Sequence, residues 1–238
     1  MRHAGSLIVG AAIISALVTA CSDMSTLAPL ADCAGGPSVT ALVPPIFNKP
    51  FAGDFSVTNV FDHDEPLATT DKNDFQLTTC GQKIRGGARG HNGYDFPMPI
   101  GTPVLAVAEG KIALAGLEPL LFCPALNKTV SGLVVVTRIR ATPSVTIDAI
   151  YGHLDSVNVK LDDSVHVGDV VGFSGTTGCS TGPHLHFSAA RVFGRRGEVM
   201  IDPYGWSGTG IDPWAVDSRG TSSMWLWKDG QAPKLFRP

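Results

Sequence analysis

Apolar runs of strand length, closed again and again by turn-forming residues, are the feature that most restricts what this chain can fold into. Residues 103–108 (PVLAVA), 111–115 (KIALA), 133–139 (LVVVTRI), 145–151 (VTIDAIY), 170–174 (VVGFS) and 184–189 (HLHFSA) are each bounded by glycine, proline, aspartate or asparagine. Short runs rich in β-branched residues between such breakers read as strands. No segment beyond the N-terminal apolar run carries a long 3.6-residue apolar period, so there is no stripe on which a core-facing helix could be built. The expected fold is all-β, an antiparallel β-sandwich or open barrel with a groove formed by long loops.

The N-terminal run itself is of a different kind. A short basic start, an apolar stretch over residues 7–18 and small residues before Cys21 read as an export signal. The stretch is shorter than the roughly 20 residues that span a bilayer, so it is not read as a permanent transmembrane helix. Its end, Val18-Thr19-Ala20-Cys21, resembles a bacterial lipobox. That resemblance implies lipidation of Cys21 and a membrane anchor, and Ser22 points to the outer membrane, facing the periplasm. Residues 1–20 are thus assigned to a lipoprotein signal peptide, and residues 21–50, rich in Ala, Pro, Ser and Thr, to the anchor and a flexible tether. Removal of the signal leaves about 215 residues, which fits one domain with extensions. A net charge of -3 offers no basic stripe for nucleic acid.

Four cysteines remain after Cys21, namely Cys33, Cys80, Cys123 and Cys179. An even number in an exported chain is expected to form disulfides. The pairing Cys33–Cys80 and Cys123–Cys179 is favoured, because the second bridge would staple a loop onto the segment just before the two histidines of residues 180–187 (STGPHLHF). A zinc cluster of cysteines is disfavoured, since there is no C-x-x-C pair.

The histidines carry the chemistry. If STGPHLHF enters a strand, His184 and His186 project from one face while Leu185 and Phe187 face the core. In residues 91–95 (HNGYD), the Asn-Gly pair is a tight-turn dipeptide that can fold His91 back toward Asp95. A third histidine, His153, ends a strand-like run in Tyr151-Gly152-His153-Leu154 and is placed at a turn. His91, Asp95 and one histidine of the H-L-H pair form a nitrogen and oxygen set of the kind a catalytic zinc takes, with a fourth position left for water. Calcium would want more oxygens. The residues alone do not say which of His184 and His186 would bind.

These pieces, in this order and spacing, resemble the lysostaphin-type or LytM-like zinc metallopeptidases, which cut peptidoglycan cross-links. The resemblance runs from Gly90 to Tyr204. It rests on HNGYDFPMPIGTPVLAVAEGKI, on YGHLDSVNVKLDDSVHVGDVVGFSGTTGCSTGPHLHF and on the closing Ile201-Asp202-Pro203-Tyr204. It implies one zinc per chain held by His91, Asp95 and His186, with His153 and His184 handling protons and helping to stabilise the transition state. It places a peptidase domain at residues 51–208, with residues 209–238 as a C-terminal extension that packs on it. The implied partners are peptidoglycan peptides, with the membrane reached through Cys21 and a protein regulator as a further partner of a monomeric enzyme.

The chain departs from the family pattern at Tyr94, where an aliphatic residue is usual, at Cys179 inside the glycine-rich loop, and at residues 118–131 (EPLLFCPALNKTVS), which look like an insertion. Residues 62–66 (DHDEP) are read as an exposed acidic turn rather than a second metal site or an inhibitory segment. Trp214, Trp225 and Trp227 are read as packing rather than sugar-stacking residues. The rival readings are a catalytically silent relative that binds the wall or activates another hydrolase, and a sugar-transport phosphocarrier. All five expected metal and proton-handling residues are present, which weighs against the first, and the export signal weighs against the second.

Overall fold

A computed structural model of the protein describes residue 33, residues 42–67 and residues 71–235. The expected signal peptide, the lipidation site at Cys21, most of the expected tether and residues 236–238 lie outside the described residues. Among the described residues, no helix is long and apolar enough to cross a membrane.

The chain forms β1 (Gln76–Leu77), β2 (Lys83–Ile84), β3 (Tyr94–Pro97), β4 (Pro103–Leu105), β5 (Gly110–Leu117), β6 (Leu121–Cys123), β7 (Lys128–Val130), β8 (Leu133–Arg140), β9 (Thr146–Val157), β10 (Ser164–Val165), β11 (Val170–Ser174), β12 (His184–Val192) and β13 (Glu198–Ile201). A single helical turn, α1 (Pro213–Val216), starts on a proline and is capped by the Asp212 side chain, which accepts from the Trp214 amide. Nine strands join one antiparallel sheet, in the order β10-β5-β8-β9-β11-β4, with β12 pairing with β9, β3 and β13. The pairs β1–β2 and β6–β7 stand apart as small hairpin sheets. The all-β, antiparallel expectation therefore holds.

The long strand β9 organises the sheet. Its residues 146–152 pair with β12, and its residues 154–157 pair with β11. The change of partner falls on His153, which has φ 58°. A left-handed conformation is uncommon for a residue with a Cβ and is costly unless its surroundings enforce it. His153 had been expected at a turn; it lies inside β9, at the point where the sheet divides into two wings.

Burial follows the pleat. Along β12, Leu185 and Phe187 are fully buried, whereas His184 and His186 are part-exposed on the opposite face. Phe187 sits in an aromatic cluster with Phe47 (5.9 Å), Tyr151 (5.5 Å) and Trp227 (5.6 Å). Strand β12 is therefore anchored from below by three parts of the chain.

Two sequence expectations are corrected here. The tether does not extend to residue 50, because Val43, Phe47 and Pro50 are buried and Phe47 forms a parallel bridge with Trp227. An apolar side chain that can be covered on all sides leaves water, whatever the composition around it. The acidic stretch at residues 62–66 is not an exposed turn, since Asp62 and His63 have 0% exposure. His63 Nε2 lies 2.8 Å from Asp202 Oδ2, and its Nδ1 lies 2.8 Å from Asp212 Oδ1. Burial alone would lower the His63 pKa, but the two carboxylates raise it to about 9, so a buried imidazolium ties this segment to the end of β13 and to the C-terminal extension. That extension buries Trp214, Met224, Leu226 and Trp227, while Trp225 is half-buried.

The structure pairs Cys33 with Cys80 and Cys123 with Cys179. The second bridge fastens the β6–β7 hairpin, within residues 118–131, to the glycine-rich loop that leads into β12.

Candidate metal centre

Strands β3 and β12 are adjacent and antiparallel, with His186 opposite Asp95 and Phe187 opposite Tyr94. Directly opposed side chains on one face stand about 4.5–5.5 Å apart at Cβ, so this register alone brings an imidazole and a carboxylate together. On its other side His186 faces Gly152 of β9, where a Cβ would stand 3.4 Å from the His186 Cβ. The bend before β3 brings His91 over the same spot. Here Asn92-Gly93 makes no hairpin turn; Gly93 is required for room, because a Cβ there would lie 2.5 Å from the Phe187 carbonyl oxygen and 2.9 Å from His186 Cε1. Tyr94, the residue that departs from the family pattern, points the other way into the core and donates to Asp202 at 2.8 Å.

Three donor atoms converge. His91 Nε2 lies 3.1 Å from Asp95 Oδ1 and 3.1 Å from His186 Nδ1, and His186 Nδ1 lies 2.9 Å from Asp95 Oδ1. A tetrahedral zinc with bonds of about 2.0–2.1 Å would separate its ligands by about 3.3–3.4 Å, so the triangle is close to the size that ion requires. Among the described residues this is the group of histidine, cysteine and carboxylate side chains placed to hold a metal. The ligand types, two imidazoles and one carboxylate, suit zinc rather than calcium or magnesium. The residues present fit the ion.

Hydrogen bonds fix which nitrogen of each ring is available. A carbonyl oxygen can only accept, so His91 donates its Nδ1–H to Val60 (2.9 Å) and turns Nε2 to the cluster. His153 donates its Nδ1–H to the Thr177 carbonyl (2.8 Å), and His184 donates its own to the Gly182 carbonyl (2.8 Å). Both carbonyls belong to the loop held by Cys179. His184 Nε2 comes within 3.4 Å of Asp95 Oδ1, and the His153 and His184 rings stand 4.6 Å apart. The structure thus gathers all five residues singled out in the sequence, three with donor atoms in contact and two flanking them.

The electrostatics divide the histidines. Burial would raise the Asp95 pKa, but the charge of His91 and hydrogen bonds from His184, His186 and His91 hold it well below the usual carboxylate range. Burial, with the neighbouring rings of His186 and His184, lowers the His153 pKa to about 4, so His153 is neutral at neutral pH. Burial also lowers that of His184, but the bond to Asp95 and its charge more than reverse this, and the net direction is upward.

Several participants have no signature in the sequence. Asn59 donates from Nδ2 to Asp95 Oδ2 at 2.9 Å, across 36 residues. Asp62 accepts from the Gly90 amide at 3.1 Å, and its own amide donates to the His91 carbonyl at 2.8 Å. The Thr177 and Gly182 oxygens are main-chain groups and could not be read from residue identity; the glycine-rich loop that carries them was legible.

Residues 89–203 match the family model described as Peptidase family M23. The chain carries an M23 peptidase domain. A glycyl-glycine endopeptidase, ALE-1, of Staphylococcus capitis is 40% identical over 104 residues, covering 44% of this chain and 25% of its own. The peptidoglycan DD-endopeptidase ShyA of Vibrio cholerae is 38% identical over 99 residues, covering 41% of this chain and 19% of its own. The chain thus spans a quarter or less of the length of these curated relatives. Among solved structures, the catalytic domain of lysostaphin from Staphylococcus simulans is 37% identical, covering 48% of this chain and 75% of its own, with a TM-score of 0.37. The M23 match takes in all five site residues and stops short of residues 57–63.

Proposed function

We propose that the protein is a zinc-dependent endopeptidase that hydrolyses peptide cross-links of bacterial peptidoglycan. In this reading His91, Asp95 and His186 hold one zinc, and His153 and His184 are the proton-handling residues. The observation that carries it is the triangle of His91 Nε2, Asp95 Oδ1 and His186 Nδ1, flanked by two further imidazoles. Zinc held there would supply a Lewis acid for the scissile carbonyl and acidity for a water molecule.

The protein's own groups do the rest. His184, its Nδ1–H committed to Gly182, turns Nε2 to the site side, 3.4 Å from Asp95 Oδ1, where with Asp95 engaged by the metal it would take a proton from water and return it to the leaving amine. Such proton transfer is worth about 100- to 10,000-fold. His153, its Nδ1–H given to Thr177, would donate from Nε2 to the oxygen on which charge develops once that nitrogen has taken up a proton during the reaction. The His153 ring stands 4.6 Å from that of His184 at the start of β12. No nucleophilic serine or cysteine is required, and Cys123 and Cys179 are bound to each other.

The cross-link chemistry is proposed from the expected anchor and from what the relatives' names say they cut. A chain tethered by Cys21 to the outer membrane would meet cross-links through D-alanine and a diamino acid. The test incubates the oxidised protein without residues 1–21 with sacculi of several cross-link types, beside His184→Ala, and identifies the fragments by mass spectrometry. Loss of cross-linked dimers with the wild type and not with the variant is expected. A folded, zinc-loaded wild type that cuts none of them would overturn the endopeptidase and favour a binding or activating role.

A further inference from the structure

The segment at residues 57–63 runs beside β3 as if it were one more strand. Thr58 donates its amide to the Asp95 carbonyl at 2.9 Å, and Asp95 returns its own to Asn59 at 3.0 Å. At that bridge the Asn59 side chain reaches the second oxygen of Asp95, Oδ2, at 2.9 Å. A carboxylate can only accept, so the amide must present its NH2 group there, and its oxygen accepts the Ala88 amide at 3.4 Å. One residue on, the Val60 carbonyl fixes His91, and two further on Asp62 holds both the Gly90 amide and the His91 carbonyl. Two of the three candidate ligands are therefore oriented by a stretch lying outside residues 89–203, the span of the M23 match.

We propose that Asn59 is a positioning residue of the metal centre, which engages Asp95 Oδ2 so that Oδ1 alone is presented to the ion beside His91 and His186. By extension, residues 58–62 form an outer wall of the site, and the M23 span by itself is an incomplete metal centre. Partners of this kind hold a ligand's orientation and its basicity, and their loss typically weakens metal binding or activity by about 10–100-fold. The adjacent His63 clamp, with Asp202 on one side and Asp212 on the other, holds the wall in place.

The inference rests on His91, Asp95 and His186 being the metal ligands, and the experiment separates the two. Zinc affinity is measured by chelator competition for the oxidised wild type, Asp95→Ala and Asn59→Leu, together with the visible absorption of the cobalt-loaded proteins and the melting of the metal-free forms. The expected result is tight zinc in the wild type, none in Asp95→Ala, and about 10–100-fold weaker zinc in Asn59→Leu. The cobalt spectrum of Asn59→Leu should also change, while its metal-free form melts close to the wild type. If Asp95→Ala binds zinc like the wild type, the metal centre itself is misassigned. If Asp95→Ala loses zinc and Asn59→Leu does not, only the role of Asn59 fails. Should Asn59→Leu not fold, Asn59→Asp keeps the shape and the bond from Ala88 while replacing the donor by an acceptor, and an unchanged zinc affinity there overturns the proposal.

Discussion

Replacing His63 by glutamine removes a buried cation from between Asp202 and Asp212, and the cost should depend on pH in a defined way. The two carboxylates hold the folded-state pKa at about 9, against an ordinary value of 6.5. A raised histidine pKa contributes stability that is complete below the unfolded value and is lost as pH rises through the folded one. The difference of about 2.5 pH units, at about 1.4 kcal/mol per unit, amounts to about 3–4 kcal/mol. Because His63, Asp202 and Asp212 are all sealed from water, little of this should be screened by salt. Asp62 titrates in the same sense but in a lower window: burial raises its pKa to about 6, so stability falls as pH rises from about 4 to 6. Subtracting the variant from the wild type removes that shared effect. Urea unfolding of both metal-free, oxidised proteins at pH 6, 7.5 and 9.5 should show the wild-type advantage shrinking by about 3 kcal/mol across the range. An advantage that stays constant or grows with pH would refute the charged clamp and mean that His63 is buried neutral.

Three further outcomes follow from the geometry. Separating Cys123 from Cys179 frees a loop of 56 residues, worth about 4 kcal/mol by chain entropy; the Cys123→Ser/Cys179→Ser protein should also lose kcat with its zinc content unchanged, since Thr177 and Gly182 orient the proton-handling rings and not the ligands. Gly93→Ala should drive a methyl against the Phe187 carbonyl and the His186 ring, costing about 1–3 kcal/mol of stability and weakening zinc binding measured by competition. Trp227→Ala, which empties the contact with Phe47, Phe187 and Tyr204, should cost about 3–5 kcal/mol in thermal or urea unfolding if the C-terminal extension is integral to the core, and little if it merely drapes over it.

How much of this was legible in the sequence depended on how local each signal is. The alternation of His184, Leu185, His186 and Phe187 declares its own two faces, and the strand it implied is β12. The runs at residues 103–108 and 145–151 located β4 and β9 but not their ends, because β9 continues through Gly152-His153 only by changing partners. A strand's neighbours are not encoded next to it. The same limit explains the misread acidic stretch: Asp62-His63 looks solvated by composition, and its burial depends on Asp202 and Asp212, about 140–150 residues away, taking up both ring nitrogens. Residues 43–50 read as tether for a similar reason, since Phe47 is an ordinary tether residue until Trp227 and Phe187 cover it. Asn59 carries no motif at all, and its role exists only in the bridge between residue 59 and β3.

Activity of the metal-free protein on purified sacculi, with zinc titrated back, tests the central claim most directly. The account predicts no loss of cross-linked dimers after chelation, recovery that rises linearly to one zinc per chain and then levels off, and no recovery at any zinc concentration for Asp95→Ala. Cleavage that survives chelation, or that is restored equally in Asp95→Ala, would contradict it.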